Sequence, residues 1–343
     1  MKAIIHTKYG SPDVLRFGDI EKPIPSAHQV LIEVYASSIN AADMYVLTGK
    51  PMLVRMMIGG MFKPKYPVIG SDVAGRVVAV GAAVTQFQPG DEVFGELGES
   101  GRGAYAEYAT ANEGEIVHKP SGVSFADAAS LPIAGITALQ GLHNVGKLQA
   151  GEHVMVVGAS GGVGSLAVGI AKVLGAEVTA VGSTAKLDML HSLGADHVLD
   201  YQREDITRGN ARYDLILDAG AYRSFRAYRN VLKPQGRYVL AGGTMGHLFN
   251  TMIFGRWASK AGGQSFQVIT AQSNQQDLAF LGELVANGQL RPAIDTSYPL
   301  DQTIDALRYF AAKRTKGKLV IAVKQADTAY HSTSTTQYAE QLA

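Results

Sequence analysis

The sequence predicts an α/β protein in which an irregular β-rich unit precedes a doubly wound parallel sheet. Three observations carry this. Short β-type runs broken by Gly and Pro fill the first 120 residues, helix and strand alternate from about Ser124, and a glycine-rich turn at residues 158–164 joins an apolar strand to a helix. At 343 residues the chain exceeds the usual single-domain size, so two domains sharing a cleft are expected. Hydrophobic residues at 46% against 18% charged supply two cores and exclude a disordered chain.

Taken in order, residues 29–39, 72–81 and 91–97 read as strands separated by turns such as Phe87-Gln-Pro-Gly-Asp91. Residues 124–145 read as helices and 152–159 as a buried strand. A helix over 164–174 and a strand over 176–182 follow, then a helix over 185–194, a short strand over 197–201, and strands within 213–220 and 236–243. Such βα units imply right-handed crossovers and parallel pairing. A helix near 272–287, a connecting segment at 289–298, a helix over 301–313 and a strand over 316–323 form a tail that can return to the first domain.

With 31 basic and 30 acidic residues the formal charge is +1, so no overall field draws the chain to nucleic acid or an anionic membrane. Cysteine is absent, which excludes disulfides, thiolate catalysis and cysteine-ligated zinc. The first residues lack the apolar core of a secretory signal. The least polar long stretch, 154–181, is interrupted by glycines and by Ser160, Lys172 and Glu177, unlike a membrane span. A cytoplasmic location, without a nucleic-acid or membrane partner, is expected.

In the glycine-rich turn, Ala159, Gly161 and Gly164 stand at the three positions of the dinucleotide fingerprint, with alanine in place of the first glycine. Gly161 and Gly162 let the backbone approach a pyrophosphate, and Gly164 permits close helix–strand packing. The first N–H groups of the helix, with Val163 among its opening residues, face the phosphate charge, and Ser160 adds a hydroxyl. The same turn could serve another doubly wound sheet; the flanking strand, helix and second strand favour a dinucleotide.

An NAD-selective site places an acid about 20 residues beyond the glycines. Here Ser183, Thr184 and Lys186 follow the second strand instead. Two hydroxyls and a cation suit a 2′-phosphate, so NADPH is the expected cofactor. The alternative for Lys186 is a solvated lysine at a helix start.

The order of these features, together with residues 37–49 (SSINAADMYVLTG), 68–81 (VIGSDVAGRVVAVG), 88–95, 103–109, 131–142, 193–201, 232–243 and 316–323, resembles the medium-chain dehydrogenase/reductase superfamily, in its zinc-free quinone-oxidoreductase-like branch. The resemblance spans residues 1–324. It implies a GroES-like β-barrel catalytic domain over 1–123, a Rossmann-type doubly wound parallel-sheet domain for NADPH over 124–269, and a return to the catalytic domain over 270–324. A polar extension, 325–343, is expected to fray. The places of the catalytic zinc ligands in the zinc-dependent relatives fall on Asn40, Ser71 and Ile133, which are not a zinc-binding set, so no metal is expected.

Without a metal, a carbonyl oxygen gaining charge needs hydrogen-bond donors. The resemblance places Asn40 and Tyr45, of the string Asn40-x-x-Asp43-x-Tyr45, beside nicotinamide and substrate; Asp43 reads as a helix cap. It also places Thr137 beside the nicotinamide, against the alternative of a helix-interior threonine, and Tyr201 at the 2′-phosphate. Gly220, Ala241, Gly242 and Gly243 end later strands and border ribose and nicotinamide, unless they are plain turns. The methionine-rich segment 51–67 reads as a lid over an apolar substrate or as local core packing.

The function expected is NADPH-dependent hydride transfer to a quinone or an α,β-unsaturated carbonyl, on a small apolar substrate, in a homo-oligomer (dimer or tetramer). Two alternatives stay open. One is an NAD(P)-dependent alcohol/ketone dehydrogenase, and the other is a non-enzymatic NADPH-binding protein with a structural role.

Overall fold

The computed structural model describes residues 1–56, 60–98, 102–243, 245–260 and 263–324; the expected polar extension and the centre of the methionine-rich segment lie outside the described residues. The amino-terminal unit opens with a two-stranded antiparallel pair, β1 (Lys2–Ile5) and β2 (Arg16–Asp19). There follow β3 (Gln29–Ser38), helix α1 (Ala41–Thr48), the short turn α2 (Met52–Val54), β4 (Asp72–Val80), β5 (Glu92–Glu96), β6 (Tyr108–Asn112) and β7 (Ile116–His118). β3 is buried along nearly its whole length because it pairs with β4 and β6 and, from the far end of the chain, with a third strand.

Two helices, α3 (Phe125–Ala129) and α4 (Pro132–Leu139), then lead out of this unit. Ser124 caps α3 through Asp127 N–H (3.0 Å), and Pro132 at the first position of α4 lacks only an N–H the helix would leave unused. α4 continues into a wider helical turn, Gln140–Val145.

The second unit is a six-stranded parallel sheet. Its strands are β8 (His153–Val157), β9 (Glu177–Gly182), β10 (His197–Asp200), β11 (Tyr213–Asp218), β12 (Leu232–Leu240) and β13 (Ser265–Val268). Their spatial order is β10-β9-β8-β11-β12-β13. Helices α5 (Gly162–Val173), α6 (Leu187–Ser192) and α7 (Met245–Lys260) are the crossovers that the residues describe. Strand order reverses between β8 and β11, which makes their carboxyl ends the switch point of the sheet. Helix α7 and strand β13 are not legible in the sequence: α7 leaves Phe249, Met252, Ile253 and Phe254 exposed, so no apolar stripe marks a buried face.

After α8 (Gln275–Ala286), the chain rejoins the first sheet. β14 (Ile294–Pro299) pairs in parallel with β15 (Lys318–Ala322), and β15 pairs antiparallel with β3, with α9 (Thr303–Ala311) between them in sequence. The segment 289–298, read only as a connection, therefore contains an edge strand. One apolar core runs through both units, joining Phe94 and Val320 of the first sheet to Leu131, Ile136, Val156 and Leu217.

Candidate active site

The site begins with the turn that leaves β8. Gly158 sits in the left-handed region (φ 73°), and a Cβ there would lie 2.8 Å from Gly220 N on the neighbouring strand end. This explains why Ala159 can replace the first fingerprint glycine: the turn's conformational demand falls one residue earlier. Gly161 is the N-cap of α5 with extended backbone, and Gly162, Val163 and Gly164 form its first turn. Gly161 N–H turns inward to Gly158 O (3.0 Å) and Ser165 N–H makes the first full-turn bond, to Gly161 O (2.9 Å), leaving the N–H groups of Val163 and Gly164 for another acceptor. A Cβ on Gly164 would strike Gly158 O and stand 2.7 Å from Ala159 Cα, so helix and turn touch backbone to backbone.

The parallel register sets the other expected residues on the same edge. Val157 lies opposite Val181 and Asp218, Gly182 opposite Asp200, and Asp218 opposite Leu240. The residues that follow these strand ends, Ser183, Thr184, Lys186, Tyr201, Gly220 and Ala241–Gly243 in number order, thus share one rim with Ser160–Gly164. Asp218 fixes part of it: its Oδ1 accepts from Gly220 N (3.0 Å) and Ala221 N (2.7 Å), and Tyr238 Oη donates to Oδ2 (2.8 Å). Burial pushes the Asp218 carboxyl up, and these bonds oppose it.

Three details depart from what the residues alone suggested. The sequence placed no carboxylate near Ser183 and Thr184, yet register brings Asp200 there, where Thr184 Oγ1 bonds its Oδ2 and Arg203 Nε stands 3.5 Å away. The Thr184 hydroxyl proton is therefore engaged within the protein. Lys186 Nζ donates to Thr315 O (2.5 Å) and is half-buried, rather than a freely solvated side chain. Thr137 Oγ1 donates to Ile133 O (2.7 Å) inside α4, which leaves it only acceptor capacity toward a ligand. Tyr201 packs on Tyr222 with ring centroids 4.3 Å apart and the rings tilted by 35°. Tyr222 was not singled out in the sequence; burial, helped by Tyr201, pushes its phenol up to about 12.

Across from this rim stands the start of α1. Asn40 is its N-cap and is 6% exposed. Asp43 is the expected cap, accepting Asn40 N–H at Oδ2 (2.8 Å), and more than a cap. It is fully buried, bonded by Tyr105 Oη (2.9 Å) and Ser71 Oγ (3.4 Å), with Arg102 Nη1 at 4.0 Å. Burial pushes the Asp43 carboxyl up while Arg102 pulls it down. Tyr45 Oη donates to Gly243 O (3.1 Å), so this expected catalytic side chain reaches the rim beyond β12.

Two buried residues in this cleft were missed. Asp72 accepts at Oδ2 from Ser38 Oγ (2.7 Å) and Asn40 Nδ2 (2.7 Å), and at Oδ1 from Ile133 N (3.1 Å). Lys318 Nζ pairs with the same Oδ2 (3.3 Å) and donates to Asn40 Oδ1 (2.6 Å). A carboxylate opening the apolar run of β4 and a lysine opening that of β15 were the available signals. On the neighbouring strand Glu96 lies directly opposite Asp72, and burial together with that charge raises its carboxyl from 4.5 to about 7.

Zinc does not fit here. Asn40 is occupied by Lys318, Ser71 Oγ is bonded by Arg102, and Ile133 has no ligating side chain, its N–H going to Asp72 and its carbonyl accepting from Thr137, so two cations stand where a dication would have to bind. Among the described residues no group of three or more His, Cys, Asp or Glu side chains is arranged to hold a metal ion.

The family model for the alcohol dehydrogenase GroES-like domain matches residues 26–121, and that for zinc-binding dehydrogenase matches residues 193–321. The chain is 36% identical over 332 residues to a 2-methylene-furan-3-one reductase of Solanum lycopersicum, covering 94% of this chain and 79% of that one. It is 34% identical, with the same coverage, to an NADPH-dependent alkenal/one oxidoreductase, chloroplastic, of Arabidopsis thaliana. Among solved structures, a quinone oxidoreductase from Coxiella burnetii superposes with a TM-score of 0.83 at 29% identity, covering 94% of this chain and 99% of that one. The chain is thus an oxidoreductase that belongs to the medium-chain dehydrogenase/reductase superfamily, in its quinone oxidoreductase-like branch.

Proposed function

We propose that the protein is an NADPH-dependent reductase of quinones or α,β-unsaturated carbonyls, and that it works without zinc. The observation that carries this reading is the pairing of a glycine-rich turn at the start of α5 with the α1 side chains opposite, where Asn40 caps the helix and Tyr45 reaches Gly243 at 3.1 Å. Relatives named for alkenal/one, furanone and quinone substrates support the acceptor class. In this reading residues 1–123 and 270–324 form the catalytic unit and 124–269 the cofactor unit, supported by β14 and β15 lying in the first sheet.

Ser160, Gly161, Gly162, Val163 and Gly164 would hold the pyrophosphate, and Ser183, Lys186 and Tyr201 the 2′-phosphate. Thr137, Gly220, Ala241, Gly242 and Gly243 would border ribose and nicotinamide. The cradle fits: a Cβ at Gly161 would meet only Gly158 O, at 3.4 Å, so the turn is open there, and the absence of a Cβ at Gly164 lets α5 start against the turn's backbone. When bound, NADPH supplies hydride. The chain's own part is to orient the acceptor and stabilise the charge its oxygen gains. Asn40 retains one amide hydrogen beyond its bond to Asp72, and Tyr45 offers a phenol once it gives up Gly243.

The test is oxidation of NADPH and NADH across quinones, enones and simple alcohols, with Lys186→Ala alongside. Turnover of quinones or enones with NADPH, unaffected by chelators, is expected. Lys186→Ala should weaken NADPH by about tenfold and NADH little, as loss of one charge-assisted contact does. Turnover of alcohols alone, lost on chelation, overturns the reading; equal effects of Lys186→Ala on both cofactors remove Lys186 from the 2′-phosphate site.

A further inference from the structure

We propose that Lys318 is a positioning residue that fixes which end of the Asn40 amide the acceptor meets, and that it does so from β15, where the chain touches the glycine-rich turn. This rests on the reading of Asn40 as an acceptor-orienting group.

The path of the side chain is the evidence. Gly317, in the left-handed region (φ 92°), donates its N–H to Ser160 O (2.8 Å), inside the glycine-rich turn. A side chain at 317 would collide with Ala293, whose carbonyl carbon and Cβ lie 2.9 Å from its Cβ position, so only glycine brings the strand this near. The Lys318 stem then passes Gly162, where a Cβ would stand 3.0 Å from Lys318 Cδ. At 2% exposure the ammonium ends on three acceptors: Asn40 Oδ1 (2.6 Å), Ile39 O (3.3 Å) and Asp72 Oδ2 (3.3 Å). Three N–H groups meet three oxygens.

An asparagine amide can present either its oxygen or its NH2 to a ligand by a half-turn. Here the half-turn is blocked. It would set the NH2 against the Lys318 ammonium and the amide oxygen against the Asp72 carboxylate, exchanging two attractions for two repulsions. With Oδ1 on Lys318 and one hydrogen on Asp72 Oδ2 (2.7 Å), the group left over is the second Nδ2–H. A donor is what a carbonyl oxygen gaining charge requires, and an amide oxygen in its place would repel it. Lys318 thereby links the turn that would hold the cofactor's phosphates to the group that would receive the acceptor.

The test uses the full chain, NADPH and whichever enone or quinone the parent reduces. The variants are Lys318→Met, Lys318→Arg, Asn40→Ala and the double variant Lys318→Met/Asn40→Ala. Lys318→Met should slow single-turnover hydride transfer by about 10-fold to 100-fold, as a misplaced positioning group does. NADPH affinity, read by fluorescence, should shift by less than about threefold. In the Asn40→Ala background the same substitution should cost nothing further, and Lys318→Arg should recover most of the rate. Should Lys318→Met not fold, Lys318→Gln, which keeps one donor, is compared in the same cycle. Losses that multiply in the double variant, or that appear in NADPH binding alone, overturn the proposal. If Asn40→Ala keeps the parent rate, the reading of Asn40 fails first; if the parent reduces no acceptor, the functional reading itself fails.

Discussion

Glu96 and Asp72 face each other across β4 and β5, two carboxylates on one antiparallel rung, with the Arg102 charge acting on Glu96. Burial and the Asp72 charge hold Glu96 protonated up to about pH 7, whereas in the unfolded chain it ionises near 4.5. A carboxyl whose folded value is raised contributes stability that is present at low pH. That contribution declines as pH climbs from 4.5 and is gone above about 7. Glu96→Gln removes the titration. Relative to the parent, it should therefore gain stability between pH 4.5 and 7 and hold that gain above, in urea denaturation repeated across pH. A difference independent of pH would show that Glu96 ionises normally. None of this was legible in the sequence, where Glu96 lies within the expected strand 91–97, because both its burial and the neighbouring charge, 24 positions away in the register pair Asp72–Glu96, come from the folded sheet.

At the scale of elements, the strand–turn–helix unit of β8 and α5 was almost fully readable: a buried apolar strand, glycines, then a helix, with α5 starting at Gly162 rather than Gly164. Its geometry was less so. Gly164 meets only backbone, Gly158 O and Ala159 Cα, and backbone does not move aside as a side chain can. Gly164→Ala should lower stability by about 1–3 kcal/mol by forcing α5 off the turn. The same shift should weaken NADPH, because the first N–H groups of α5 move with the helix. Denaturant midpoints and cofactor titration check both, and an unchanged midpoint would mean that the helix packs more loosely than described. Helix α7 escaped sequence reading for the opposite reason: apolar Phe249, Met252, Ile253 and Phe254 are exposed while the buried positions include Thr251, so the apolar pattern does not mark the buried face.

At the scale of the whole molecule, the chain leaves its first sheet, builds a parallel sheet and returns to finish the first with β14 and β15. The cleft is stitched by the return: Gly317 to Ser160, Lys186 to Thr315, and Lys318 to Asn40 and Asp72. No helix among the described residues is long and apolar enough to cross a membrane. Exposed Phe249, Met252, Ile253 and Phe254 on α7 lie next to β13, which ends the parallel sheet. Apolar surface beside a sheet edge favours self-association. Light scattering should accordingly return two or four times the chain mass; a monomer at micromolar concentration would remove that expectation.

Local and periodic features are readable from the residues: the parallel βα succession, the glycine turn, and the residues that would stand at successive strand ends, since each follows from short-range pattern and backbone sterics. Which charges face one another depends on the assembled fold. Asp72, Asp200, Glu96 and Lys318 acquire their partners through strand register and the return of the chain, and pairing between residues as far apart as Asn40 and Lys318 leaves no trace in the spacing of either segment.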